Sequence, residues 1–290
     1  MGNVANSVKN NMTAMFADRN MNISKSLLTK STEKLSSGYR VNRSADDAAG
    51  LSISEQTRRL ARGLSKGSEN IKEGISLART AEGALAEVED ILQRMNQLTV
   101  KGLNGTLMTS DRRYIQDEID RLTAEIHRVG ETTEFNNIPI LQGENLEDLN
   151  IQHSADAVDN TFISLPDLEK ILKDGYVKYG YSNIEEALQL QDYSTNGPLN
   201  YQMIDVIKDL INGVSAMRVN IGAQENKLEH ALNSNGVKEE AHIENETKQR
   251  DLDVASEMVN FSCRSVASQA GESMMAQSTK INNTVLKMLP

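Results

Sequence analysis

Four histidines, His127, His153, His230 and His242, and one cysteine, Cys263, are the side chains best suited to nucleophilic, acid–base or metal chemistry. Their spacing supports none of it. A zinc protease carries His-Glu-x-x-His, two histidines on one helix face with a glutamate beside the first, and no histidine here has that setting. A single cysteine forms neither an intrachain disulfide nor a cysteine metal cluster. The Asp and Glu pairs recur among Lys and Arg at helical spacing, the pattern of solvated helix faces. No phosphate loop and no nucleophile elbow is present. The sequence is therefore read as that of a protein without catalysis, cofactor or metal, and its function is sought in the elements themselves.

Those elements are amphipathic helices. In Asp251–Leu289 the small and apolar residues Ala255, Val259, Cys263, Val266, Ala270, Met274, Ile281, Val285 and Met288 follow steps of three, four or seven, a helical seam. A helix of roughly 38 residues would run about 57 Å. Its seam is too lightly apolar for a membrane span, so it needs partner helices. Residues 1–35 repeat the pattern with Val4, Val8, Met12, Met15 or Phe16, Ile23, Leu27 and Leu35. This second seam stops at Ser36-Ser37-Gly38, where glycine can close a helix in the left-handed conformation.

The composition agrees with thin helix–helix seams rather than a thick core. Tryptophan is absent, aromatics total 4%, methionines number 12 and prolines 4, while 25% of residues are charged. A net charge of −10 excludes general nucleic-acid binding, which needs a basic face to replace counterions. No apolar stretch reads as a membrane span, and residues 1–22 are broken by Asn, Lys, Asp and Arg, unlike a cleaved signal peptide. This implies a cytoplasmic protein or one secreted without a cleaved signal.

Between the ends, residues 39–55 are small and polar, predicting a connector and then a helix capped near Ser44, with Asp46 and Asp47 in its first turn. Heptad tracks Ile71, Ala78, Leu85, Leu92, Thr99 and Ala81, Val88, Met95 carry that helix to about Gly102. After a turn, Ser110 or Asp111 is expected to cap a third helix with the seam Ile115, Ile119, Leu122, Ile126, Val129, packed antiparallel on the second. Residues 130–200 lose the period. A hairpin fits Phe135–Leu141, short helices fit Asp167–Leu172 and Asn183–Leu190, and the rest reads as an irregular module. A last seam, Ile204, Ile207, Ile211, Val214, Met217, Ile221, Leu228 and Ala231 or Leu232, makes another long helix, loosened at Ser234-Asn235-Gly236. The expected fold is mainly α: a long antiparallel helical coiled-coil bundle with the N- and C-terminal helices paired, plus a small β-hairpin and irregular module at the tip.

Several stretches carry a family resemblance. Glu33-Lys34-Leu35-Ser36-Ser37-Gly38-Tyr39-Arg40-Val41-Asn42 and Asp46-Asp47-Ala48-Ala49-Gly50-Leu51-Ser52-Ile53-Ser54-Glu55 resemble the N-terminal block of bacterial flagellins. Gly74–Leu85 and Leu92–Val100 resemble its continuation. Arg250–Val259 and Gln269–Gln277 resemble the flagellin C-terminal block. The resemblance implies five segments: 1–43 and 239–290 as the two parts of an inner-core helical domain, 44–141 and 199–238 as the two parts of an outer-core rod, and 142–198 as a short variable surface module. It implies a homopolymer, the extracellular flagellar filament that serves motility, exported through the flagellar channel. The implied partners are the chain itself, an export chaperone, the cap protein and the hook-associated junction protein, without nucleic acid or membrane.

The polymerisation seam is then Val4, Val8, Met12, Ile23, Leu27, Leu35, Ala255, Val259, Val266, Ala270, Met274, Ile281 and Val285. Pairing of the two ends alone would bury one narrow stripe each, so they are expected to be disordered in the monomer and to fold on assembly. The resemblance also implies that Arg94, Leu98 and Glu118 form a surface engaged by Toll-like receptor 5. Arg94 and Leu98, one helical turn apart, would then face the same way. The plainer alternative makes Arg94 a solvated or inter-subunit salt-bridge residue and Leu98 rod packing. Cys263 is expected to be a small buried hydrophobe. Two other functions stay open at this point: a hook–filament junction protein of the same architecture, and a cytoplasmic coiled-coil adaptor.

Overall fold

The computed structural model describes residues 12–142, 149–155, 160–191 and 198–287. In chain order the elements are α1 (Met12–Ser37), α2 (Ala48–Gly102), α3 (Thr109–Thr132), β1 (Glu134–Phe135), β2 (Ile138–Pro139), β3 (Leu149–Gln152), β4 (Asn160–Ile163), α4 (Leu168–Val177), α5 (Ile184–Ala187), α6 (Gln202–Arg250) and α7 (Val254–Lys287). They divide into two compact units, Leu60–Glu240 and Met1–Arg59 with Ala241–Pro290. The long paired helices with small antiparallel hairpins are the mainly α architecture expected from the seams.

The unit Leu60–Glu240 is built on the predicted heptads. Ile71, Ala78, Leu85, Leu92 and Thr99, with Ala81, Val88 and Met95, are all buried. They meet Ile115, Ile119 and Ile126 of α3. Arg112 of α3 donates to the Gly102 carbonyl at 3.1 Å while Arg94 reaches Glu118, so α2 and α3 run antiparallel. Arg79 pairs with Glu225 and Arg218 with Glu89, both at 2.6 Å, which makes α6 antiparallel to α2 as well. On α6 the buried face is turned slightly from the predicted one. Met203, Val206 and Leu210 are core, whereas Ile204 and Ile211 pack at its margin.

Two boundaries differ from the sequence reading. The cap of α2 is Asp47 rather than a residue near Ser44: its Oδ1 accepts from Gly50 N at 2.8 Å. Residues 43–46 close a turn instead, in which the Asp46 side chain accepts from Arg43 N at 3.2 Å and Asp46 N donates to the Arg43 carbonyl. The Arg43 amide, aimed at the Asp46 carboxylate, is the main cause holding that group below its usual range. Helix α3 starts at Thr109, with Met108 before it. Asp111 lies in the first turn and accepts from Met108 N at 3.4 Å, so neither Ser110 nor Asp111 is the capping residue.

The first hairpin turns at Asn136 and Asn137, both with positive φ (52° and 62°), as a two-residue turn between twisted strands requires. The second, β3–β4, was not legible in the sequence. It lies over Gly63, Gly67 and Gly74 of α2, where added Cβ atoms would strike Ala155, the His153 carbonyl and the end of Ile151. Asn70 of α2 donates to the Gln152 carbonyl at 2.9 Å, and Asn235 of α6 donates to that of His153 at 2.6 Å. The buried Asn235 therefore does not loosen α6, which runs unbroken through Ser234-Asn235-Gly236. Helix α4 is capped by Asp167 and tied to α6 through Asp209, which binds Lys178 Nζ at 2.7 Å and accepts from the Tyr179 hydroxyl at 2.9 Å.

In the other unit α1 and α7 run antiparallel, with Lys25 bonded to Glu272 and Arg264 to the Leu27 carbonyl. Helix α1 ends as predicted: Gly38 has φ +75° and its N–H donates to the Lys34 carbonyl at 2.9 Å. The connector that follows clasps the start of α7. Leu252 N donates to the Gly38 carbonyl at 3.0 Å, Arg40 N donates to the Arg250 carbonyl at 2.7 Å, and the Arg250 guanidinium lies 4.6 Å from the Tyr39 ring centre. Arg250 also pairs with Glu55, and Arg58 with Glu246.

Two outcomes follow for the larger unit. Gly67→Ala puts a methyl group against backbone and is expected to cost about 1–3 kcal/mol, whereas Gly74→Ala meets only the movable end of Ile151 and costs less. Urea unfolding measures both, and loss of amide protection confined to β3–β4 in the Gly67 variant identifies the cause. Lys178 first, then the Tyr179 hydroxyl, holds the Asp209 carboxyl below its ordinary range. A depressed folded-state pKa stabilises above the unfolded value and is lost as pH falls through the folded one. Asp209→Asn should therefore shrink the stability gap to the parent below about pH 4; an undiminished gap counts against this linkage.

Candidate assembly interface

Helix α1 meets α7 through a mixed stripe of small, polar and apolar residues. On α1 they are Ala17, Met21, Ser24, Leu28, Ser31 and Leu35, buried or half-buried at three- and four-residue steps. On α7 the matching set is Glu257, Phe261, Arg264, Ser268, Gly271 and Met275. Ser31 is 0% exposed and Glu257 8%. The Ser31 hydroxyl donates to Glu257 Oε1 at 2.5 Å. Arg264 donates to Ser31 Oγ and to the Leu27 carbonyl, and it lies 3.6 Å from Glu257. At Gly271 a Cβ would stand 3.6 Å from that of Met21, so the backbones approach closely there. Apart from Leu35, these residues were missed in the sequence. Their signal was a second period, of Ala, Ser and Gly, offset from the apolar one.

The predicted seam lies on the other side. Met12, Ile23, Leu27, Ala255, Val259, Val266, Ala270 and Met274 are exposed, with Val266 at 65% and Met274 at 68%. Leu35 alone among the described seam side chains is half-buried. Met15, Phe16, Val254 and Met258 add to the exposed apolar surface. Val4 and Val8 lie outside the described residues; Ile281 and Val285 fall within α7, but their side chains lie outside the description. Cys263 is exposed in the single chain, where it shares the outward face with Val259 and Val266.

On the larger unit, Arg94 grips Glu118 Oε1 with Nε at 3.1 Å and Nη2 at 2.8 Å, and both side chains are about half exposed. Leu98 does not share their surface. It is 3% exposed and belongs to the core with Met95. One helical turn separates it from Arg94, yet the wide apolar stripe of α2 takes in Leu98 and leaves Arg94 at its rim.

Reactive groups are not gathered elsewhere among the described residues. Shallow clefts flank His127 and Glu169, lined by Leu172, Lys173, Tyr176 and Glu185 on one side and by Glu131, Leu141 and Leu168 on the other. No group of three His, Cys, Asp or Glu residues there could hold a metal ion, and no described helix is long and apolar enough to cross a membrane.

Known proteins supply the context. Residues 8–146 match the bacterial flagellin N-terminal helical region and residues 204–289 the bacterial flagellin C-terminal helical region. The chain is 38% identical to a flagellin of Halalkalibacterium halodurans over 97% of its own length and 99% of that protein. It is 34% identical to a flagellin of Bacillus subtilis and 32% to the flagellar filament 33 kDa core protein of Treponema phagedenis, with the same shares covered. Among solved structures, the fold is similar to a hook-associated protein, so described provisionally, from Vibrio parahaemolyticus: TM-score 0.51, 15% identity, 71% of this chain and 97% of that one. With matches to both terminal regions and full-length relatives above 30% identity, the chain belongs to the bacterial flagellin family.

Proposed function

We propose that the chain is a structural subunit that polymerises with copies of itself into the helical filament of a bacterial flagellum. One observation carries the reading: α1 and α7 meet along one narrow stripe, while Met12, Ile23, Leu27, Val259, Val266 and Met274 on their other faces stand in water. An apolar face of this length on two paired helices is stabilised by neighbouring helices of like kind. The seam residues from Val4 to Val285 then become subunit contacts. In this reading residues 1–43 and 239–290 form the inner core, 44–141 and 199–238 the outer rod, and 142–198 the outer surface. Family membership supports an extracellular, flagellar location and a motility role. It also supports export without a cleaved signal peptide, an export chaperone, and contacts with the cap and hook-associated junction proteins.

Electron microscopy of the purified chain tests this directly. Long filaments are expected, and persistent monomers would favour a hook–filament junction protein, whose fold class the chain shares. Val266→Asp is expected to raise the critical concentration for assembly at least about tenfold, since burying one valine contributes about 1.5–3 kcal/mol and each 1.4 kcal/mol is a factor of ten. A thiol label should react with Cys263 in free subunits and not in filaments; equal reactivity in both counts against this contact surface.

The same reading makes the free subunit a ligand of Toll-like receptor 5, with Arg94 and Glu118 as the exposed contacts and Leu98 supporting them from below. Arg94→Ala removes a cation and frees Glu118 and is expected to weaken receptor binding about tenfold or more, as loss of an interface arginine commonly does. Leu98→Ala should act through unfolding of the rod instead, at about 2–5 kcal/mol. Parental binding by the Arg94 variant in surface-plasmon measurements removes this assignment.

A further inference from the structure

Methionine is placed unevenly along the chain. Of the 12 methionines, only Met95, Met108, Met203 and Met217 lie between the two terminal segments. Met95 and Met203 are fully buried in the core and Met217 nearly so, while Met108 stands exposed just before α3. The terminal segments hold all the others. Met21 and Met275 belong to the stripe between α1 and α7. Met12, Met15, Met258 and Met274 are exposed, as are Ile23, Leu27, Val259 and Val266. An unbranched, polarisable thioether suits a contact that must adapt to several neighbours. It is also chemically vulnerable where its isoleucine, leucine and valine neighbours are inert: oxidation turns the flexible apolar side chain into a polar sulfoxide. The vulnerability does not depend on a closed helix pair. These four thioethers meet water on the closed pair, and they meet it equally on an open chain.

We propose that Met12, Met15, Met258 and Met274 form an oxidation-sensitive modification site, at which hydrogen peroxide acting on the free subunit blocks its entry into the polymer. The proposal rests on the assembly reading above. In the reaction a sulfur lone pair attacks one peroxide oxygen. The S–O bond forms, the O–O bond breaks and water leaves, so sulfur is oxidised by two electrons and the peroxide is reduced. The new sulfoxide oxygen is a strong acceptor. Its neighbours on the assembly face, Ile23, Leu27, Val259 and Val266, carry no side-chain donor, and a polar group buried without a partner is penalised. An oxidised subunit is therefore refused at the contact that the thioether would have filled. The effect is one-sided in time. A subunit already in the polymer has these side chains covered, so peroxide halts growth and spares what is built. It is also reversible, because methionine sulfoxide reductases return the thioether.

The test treats full-length free subunits with hydrogen peroxide, locates sulfoxides by peptide mass spectrometry and measures the critical concentration for assembly. Met12, Met15, Met258 and Met274 are expected to oxidise ahead of the buried Met95 and Met203. The critical concentration should rise at least about tenfold, the scale of one unpaired buried polar group, and fall back after treatment with methionine sulfoxide reductases. A variant with these four methionines changed to leucine keeps Met108 and Cys263, both exposed. Its assembly is expected to be indifferent to peroxide, which assigns the block to the four positions. The proposal is overturned if oxidised parent subunits assemble at the parental concentration, or if the four-leucine variant loses assembly on oxidation as the parent does. It is equally overturned if the four methionines oxidise as fast in finished polymer as in free subunits. Where the four-leucine variant forms no polymer even untreated, the reductase arm decides: restored assembly supports the site and unrestored assembly overturns it. An untreated parent that forms no polymer overturns the assembly reading and the block with it, whereas polymer both with and without peroxide overturns the block alone.

Discussion

Apolar side chains left in water on a folded helix are unfavourable by about 1.5–3 kcal/mol each relative to full burial, and α1 and α7 together carry a long row of them. Everything else in the unit that holds them is arranged so that the row stays outside. The mutual contact takes only a narrow stripe from each helix, Met21, Leu28, Phe261 and Met275 among serines, a glycine and an ion pair, and a clasp of backbone bonds fixes the helix ends. In the proposed assembly, the stability of such a pair would be tied to the concentration of partners, as for any element completed by association.

The unit Leu60–Glu240 obeys the opposite rule. Its apolar heptads face inward, its buried polar groups are small or internally bonded, and its ion pairs sit at the rims between helices. Gln116 is an instance: buried, it donates to the Leu188 carbonyl and accepts from Leu190 N, fastening the short α5 region to α3. One chain therefore combines a part with its apolar face inside and a part with a long apolar face left outside. The difference lies in the side of the helix on which the small residues fall.

That difference also explains what the sequence disclosed. In α2 and α3 the apolar period and the buried face coincide, so Ile71, Leu85, Leu92, Ile119 and Ile126 could be assigned from spacing alone. In α1 and α7 the same period was just as clear, and it marked the face turned to solvent; periodicity reports that a stripe exists and is silent on its partner. Leu98 follows the rod-packing alternative, since a stripe wide enough to bury a core helix takes in residues one turn from an exposed arginine. The β3–β4 hairpin was hidden because side chains from two remote helices, Asn70 and Asn235, hold its carbonyls. Read locally, Ser234-Asn235-Gly236 signals a break; only the tertiary bond to His153 makes Asn235 a fastener.

The clasp at the end of α1 has a topological consequence. The chain leaves that point at Arg40 and returns to it at Arg250, where a backbone hydrogen bond joins the two. Everything between is a closed excursion from one fixed gate. Closing a longer excursion costs only about 0.6 kcal/mol for each doubling of a flexible loop, and the gate's own bonds do not depend on what the excursion contains. Segments remote from the gate can thus be lengthened, trimmed or exchanged in evolution, or replaced by cargo in engineering, while the terminal helices keep their clasp.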